Sequence, residues 1–294
     1  MVRHRAESVM NPKSEPKSVA VEAATDFRKH PGLSPRKKYQ ISMTVQYVVI
    51  AAVILFVIFG ADWADLSEKF FNAELIERSF PELFTVALAN TVIYTASGYV
   101  VGFALGILIA VMRLSSAAVN RWIATGFIEI FRGLPALLIL TFLAFFWPVA
   151  FPNLIIPGGN YGTVALGLGL CSAAYMAETF RAGIQAVPKG QMEAARSLGM
   201  SHTRAMVTII LPQAVRIVIP PLTNELILLT KDSSLVLTVG IAAKESDLVK
   251  FGNDLANETG NSTPLVVAGL AFLVITIPLS ILVRRLEARQ AKAR

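Results

Sequence analysis

The sequence predicts an all-α integral membrane protein with about six spanning helices, and three observations carry that prediction. Over 294 residues, 54% of the side chains are apolar and only 16% are charged, where soluble domains carry about a quarter charged residues. Mean hydropathy is +0.58, and the apolar residues gather in runs close to the roughly twenty needed to cross a hydrocarbon core. The charges sort by connection, basic on one side and acidic on the other, as the positive-inside bias requires. An ordinary cytosolic enzyme is excluded. The net charge of +7 does not describe a nucleic-acid face, because the basic residues lie at the two ends and in one inner loop.

Residues 1–42 are polar and rich in Pro, Ser, Lys and Arg, and read as a disordered basic cytoplasmic tail. About forty residues before the first apolar core are too many for a signal peptide, so 43–60 is a retained N-terminal spanning helix. Residues 61–83 hold Asp62, Asp65, Glu68, Glu74, Glu77 and Glu82 and form an acidic extracytoplasmic segment. Further spans are expected over 84–112, 122–149, 161–187, 213–240 and 264–283. The 113–121 turn is basic, 151–160 is uncharged, the loop around Lys189, Arg196 and Arg204 is basic, 244–263 leans acidic, and 289–294 is a basic tail. Six crossings of the cell membrane with both termini cytoplasmic satisfy every connection.

Within the spans, Gly98, Gly102, Gly106 and Ala110 form a stripe of small residues, for packing inside the monomer or for a dimer seam. Glu129 with Arg132, and Glu178 with Arg181, are spaced to neutralise each other on one helical face. The lone Cys171 permits no intramolecular disulfide and reads as a packing residue. In the fifth run, Pro220 and Pro221 are expected to kink or break the helix. Asn224, Glu225, Lys231, Asp232, Ser233 and Ser234 follow, a polar cluster that no lipid-facing helix tolerates. It marks a solute site or a polar network that locks the bundle.

The cytoplasmic segment 188–212 carries more than a turn. A helix is expected over 191–198 with Glu193 in its first turn, then Gly199 as a left-handed cap. Ser201 opens a second helix through about Ile210, which Pro212 ends. The residues Glu193, Ala194, Ala195, Gly199, Ile209, Leu211 and Pro212 keep a fixed spacing, and that stretch resembles the cytoplasmic loop of ABC-importer permeases. Phe131-Arg132-Gly133-Leu134-Pro135, Tyr175-Met176-Ala177-Glu178 and Lys231-Asp232-Ser233-Ser234-Leu235 are similar to stretches of the polar amino-acid, histidine/glutamine permease branch. A serine stands at 233 where threonine is common there.

The resemblance implies a type I importer core of five helices within a permease domain over 84–288, the 43–60 helix being additional. It implies docking of 188–212 into an ATPase dimer, a second permease copy or paralogue, and an extracytoplasmic amino-acid-binding protein. No phosphate-binding loop, metal-ligand cluster or catalytic elbow occurs in the sequence. ATP and Mg are therefore expected on the partner, with no cofactor, metal or enzymatic activity on this chain. In the expected path Asp232, helped by Glu225, meets the solute ammonium, while Ser233, Ser234 and Lys231 meet its carboxylate. Asn224 serves either end, and Glu178 is a possible inner gate. The competing class is a stand-alone ion-coupled transporter using Glu225 and Asp232 for cations.

Overall fold

The computed structural model describes residues 35–292, and among them there are helices and turns but no strand. Two units divide at Asp62. The first holds helix α1 (Pro35–Gly60), apolar throughout its second half and exposed along nearly its whole length. It starts at Pro35, eight residues before the expected boundary, because proline is favoured at a helix start and the basic residues that follow are good helix formers. The rest of the expected tail, 1–34, lies outside the described residues.

The second unit begins with α2 (Trp63–Phe70) and α3 (Ala73–Glu82), so the acidic segment is helical. Asn72 caps α3 by accepting from the Leu75 amide, and its own N–H donates to Thr263 Oγ1. Then come a π turn (Leu83–Leu88), α4 (Ala89–Leu114), α5 (Ala118–Gly133), α6 (Ala136–Thr141), a second π turn (Phe142–Phe146) and α7 (Trp147–Ala150). Helix α8 (Gly159–Gln185) leads to α9 (Lys189–Ser197) and α10 (His202–Ala205). A third π turn (Met206–Ile210) runs into α11 (Leu211–Asp232) and a 3-10 stretch (Ser233–Thr238). Helices α12 (Leu248–Thr259) and α13 (Thr263–Lys292) end the chain. Among the described residues five helical stretches are long and apolar enough to cross a membrane, or six when the bent pair α5 and α6–α7 is counted as one span. The predicted all-α membrane architecture is borne out.

The packing settles the small-residue stripe in favour of the monomer. Gly98, Gly102 and Gly106 of α4 face Leu168, Ser172 and Met176 of α8, the two helices running parallel. A Cβ on Gly102 would lie 1.9 Å from Ser172 Oγ, and one on Gly98 or Gly106 2.9 Å from the Cβ of its partner. Helix backbones without side chains between them approach closely enough to gain dispersion contacts that lipid cannot replace. Around this seam Tyr94, Leu140, Leu168, Met176, Leu222 and Leu229 build the main core from α4, α6, α8 and α11.

Three sequence expectations are corrected here. The run at 122–149 is not one straight span: α5 and α6–α7 meet at 102°. Pro135 supplies no N–H and forces Leu134 into extended backbone (φ −90°, ψ 138°), which ends the helix. Pro212 does not end a helix: it sits where the π turn passes into α11, and the change of register there accommodates a residue without an N–H. The π turn before it hands the ladder on, with the Leu211 N–H donating to Met206 O. Of the kink or break expected at Pro220 and Pro221, the break does not occur: α11 runs on as helix through both. A non-helical stretch here would strand several backbone groups away from water, whereas a continuous helix around two prolines loses only two donors.

Candidate functional site

The first candidate surface is the loop after α8. Helix α9 begins at Lys189, so Glu193 stands in its second turn and not its first. Its end is a Schellman turn: the Met200 N–H donates to Ala195 O at 3.1 Å and the Gly199 N–H to Arg196 O at 3.0 Å. That closure needs Gly199 at φ +81°, a left-handed backbone that side chains disfavour. Arg196 Nη1 adds a bond to Met200 O, and Ser201 Oγ caps α10 by accepting from the Arg204 N–H.

Helix α9 therefore has two faces. Ala195 is buried, and Met192 packs against Val187, Ile210 and Ala214, so α9 rests on the foot of α11; Ile209 joins the same cluster. Glu193 and Ala194 face outward with Leu211 and Pro212. Among the described residues nothing forms an ion pair with Glu193. Leu198, 84% exposed, was missed in the sequence. Its N–H still donates to Ala194 O at 3.1 Å, so it closes the last turn of α9 with its side chain in the open. The following Gly199 was the signal available.

The second candidate surface is the far part of α11. Asn224 and Lys231 are exposed, and Glu225 and Asp232 half-buried on the adjoining face. Among the described residues no ion pair joins Lys231 to Asp232, or either to another group. Ser233 is fully buried and its hydroxyl donates to Thr230 O at 2.8 Å, which tightens the chain into the 3-10 stretch. Ser234 is half-buried and is the more open hydroxyl of the two. On α8, Arg181 grips Glu178 with a forked contact (Nη2 to Oε2, 2.5 Å) and donates to Gln185 Oε1 at 2.7 Å. The other predicted pair does not form. Arg132 instead sits over the Tyr175 ring, 5.4 Å from its centroid, because the helix ends one residue later and its guanidinium turns toward α8.

The two surfaces thus lie on one helical rod, with the 188–212 loop at its foot and unpaired charges about 20–30 Å further along, at 1.5 Å per residue. The comparison with known families supplies the identity of such a rod. Residues 102–292 match the family model of the binding-protein-dependent transport system inner membrane component, a range that contains both surfaces. The chain belongs to that family. It is a permease subunit of an ABC importer. A probable glutamine ABC transporter permease protein of Bacillus subtilis is 43% identical over 201 residues, covering 65% of this chain and 85% of the relative. The glutamate/aspartate import permease protein of Escherichia coli is 33% identical over 226 residues, covering 75% of this chain and 99% of the relative. Among solved structures, an amino acid ABC transporter superposes with a TM-score of 0.65 at 33% identity, covering 73% of this chain and 97% of that one.

Proposed function

We propose that this permease carries polar amino acids across the cell membrane, driven by ATP hydrolysis on an associated ATPase dimer. An extracytoplasmic binding protein delivers the solute, and a second permease copy or paralogue completes the path. ATP and Mg bind the ATPase, and this chain performs no chemistry of its own. The carrying observation is α11 itself, which bears the capped docking loop at its foot and the unpaired Glu225, Lys231 and Asp232 along its length. Intramembrane charge without an internal partner is costly unless it faces a wet path or another chain.

A free amino acid brings an ammonium and a carboxylate into that path. Asp232, helped by Glu225, serves the ammonium; Lys231 and Ser234 serve the carboxylate, and Asn224 reaches either. Glu178, already held by Arg181, serves as an inner gate. The permease domain is 84–288 with coupling loop 188–212, both termini are cytoplasmic, 61–83 lies outside, and α1 is an added anchor.

The test is reconstitution of the permease with its ATPase and binding protein in vesicles. Uptake of labelled glutamine, glutamate or arginine should require ATP and ignore imposed ion gradients. Uptake that follows a sodium or proton gradient without ATP would establish the ion-coupled alternative. Asp232→Asn keeps the size and removes the charge; uptake of every solute should fall at least tenfold while the ATPase still copurifies. Normal uptake in that variant would assign Asp232 a structural role.

A further inference from the structure

At the end of the bundle remote from the docking loop, the connection between the 3-10 stretch and α12 is held by α4 and α8. Asn90 Nδ2 donates to Lys244 O at 2.9 Å and to Ser246 O at 3.1 Å. Between these carbonyls, Glu245 O accepts from the Tyr94 hydroxyl at 2.8 Å. Three consecutive carbonyls are therefore bound by two side chains one turn apart on α4. The Tyr161 hydroxyl of α8 donates to Asn90 Oδ1 at 2.8 Å, so the Asn90 amide uses both its donors and its acceptor. The Tyr94 and Tyr161 rings stack at 5.1 Å between centroids.

The network is dry. Asn90, Tyr94 and Ser246 are each 5% exposed or less, and the upstream part of the connection inserts Val239 and Ile241 into the core shared with α11. A connection that only joined two spans could stay on the surface and bond to water. This one is fixed over the remote end of the helix that carries Asp232, by bonds to backbone carbonyls that a neighbouring side chain cannot substitute.

We propose that Asn90 is a positioning residue for transport: it latches the 244–248 connection shut over the remote end of the solute path, preventing back-flow while the docking-loop end opens. This rests on the transport reading above. In wild type, opening one end then requires the latch to hold the other, and only the ATPase cycle releases it.

The test uses the whole reconstituted transporter. Vesicles loaded with labelled glutamine, glutamate or arginine are followed for efflux without ATP, alongside ATP-driven uptake and copurification of the ATPase. Asn90→Leu removes all three bonds at similar volume. It should raise ATP-independent efflux at least fivefold and lower solute carried per ATP hydrolysed, with the ATPase still bound. A merely structural role would lower the yield of assembled transporter without opening a leak. Where Asn90→Leu fails to assemble, Asn90→Ala decides by the same readouts, because it deletes the same three bonds without inserting a larger apolar side chain. Tight vesicles with wild-type uptake in the assembled variant would overturn the latch alone. Absence of ATP-driven uptake in the wild-type vesicles would overturn the transport reading and the latch together.

Discussion

Replacing Gly199 isolates the backbone contribution to the turn that ends α9. A Cβ at that position meets nothing within 4 Å, so no neighbour is displaced by a side chain. What remains is the backbone, which at φ +81° costs an ordinary residue about 1–2 kcal/mol. That range corresponds to about a 5–30-fold shift away from the closed turn. Opening the turn breaks the Met200 and Gly199 bonds that end α9 and removes the platform presenting Leu198. In a pull-down of the ATPase by the permease, Gly199→Asn should stay near wild type, since asparagine tolerates this backbone. Gly199→Ala should weaken capture by the range given. Gly199→Val, β-branched, should weaken it further and uncouple ATP hydrolysis from uptake. Gly190→Ala is the control, because its Cβ also points into open space but on an ordinary backbone. Equal capture by the Asn, Ala and Val variants would refute the argument, as would wild-type coupling in Gly199→Val.

Three further outcomes are expected. Gly102→Ala places a Cβ 1.9 Å from Ser172 Oγ and 3.2 Å from Gly169 O, and overpacking of that kind costs about 1–3 kcal/mol. Its melting temperature in detergent should drop by several degrees and recover partly with Ser172→Gly, while Gly126→Ala, which meets nothing within 4 Å, should not fall. Asp247 caps α12 by accepting from the Val249 and Lys250 amides, and burial pushes its carboxyl up to about 6 despite those bonds. The folded state then keeps a proton that the unfolded chain sheds near pH 4. Stability from this group is greatest at low pH and falls by about 3 kcal/mol as pH rises through 6. Hydrogen exchange at Val249 and Lys250, corrected for intrinsic rate, should accordingly be slower at pH 5 than at pH 7, and Asp247→Asn should flatten that difference. Finally, a reporter active only outside the cytoplasm should be silent after Arg294 and active when inserted beside Ala61; the reverse pattern would contradict the six-crossing arrangement.

Much of this architecture is legible in the sequence, and the exceptions share a cause. Apolar runs mark spans because lipid demands them, and the turn between α9 and α10 is legible because Gly199 and Ser201 act through their own backbone neighbours. The prolines are misleading because their local effect depends on position: at Pro135 the chain bends, at Pro212 the change of register after the π turn absorbs the lost donor, and at Pro220 and Pro221 the helix continues. The Glu129 and Arg132 spacing permits a pair, but Tyr175 of another helix competes for the guanidinium. The Asn90 network is invisible because its partners are main-chain carbonyls more than 150 residues away, which leave no pattern of side chains.

The π turn at Met206–Ile210 also fixes where this chain can be shortened. A π turn holds about one residue more than an α turn. Deleting one residue there would let the ladder close as ordinary α-helix, with Glu225 and Asp232 still at their present azimuth above the 188–212 loop. The same deletion a few residues later, inside α11, would swing both carboxylates by about 100° about the helix axis, off their present face. The spare residue thus acts as a register allowance, and a single-codon deletion scan along residues 203–223 should show one tolerant window over the π turn in an otherwise intolerant rod.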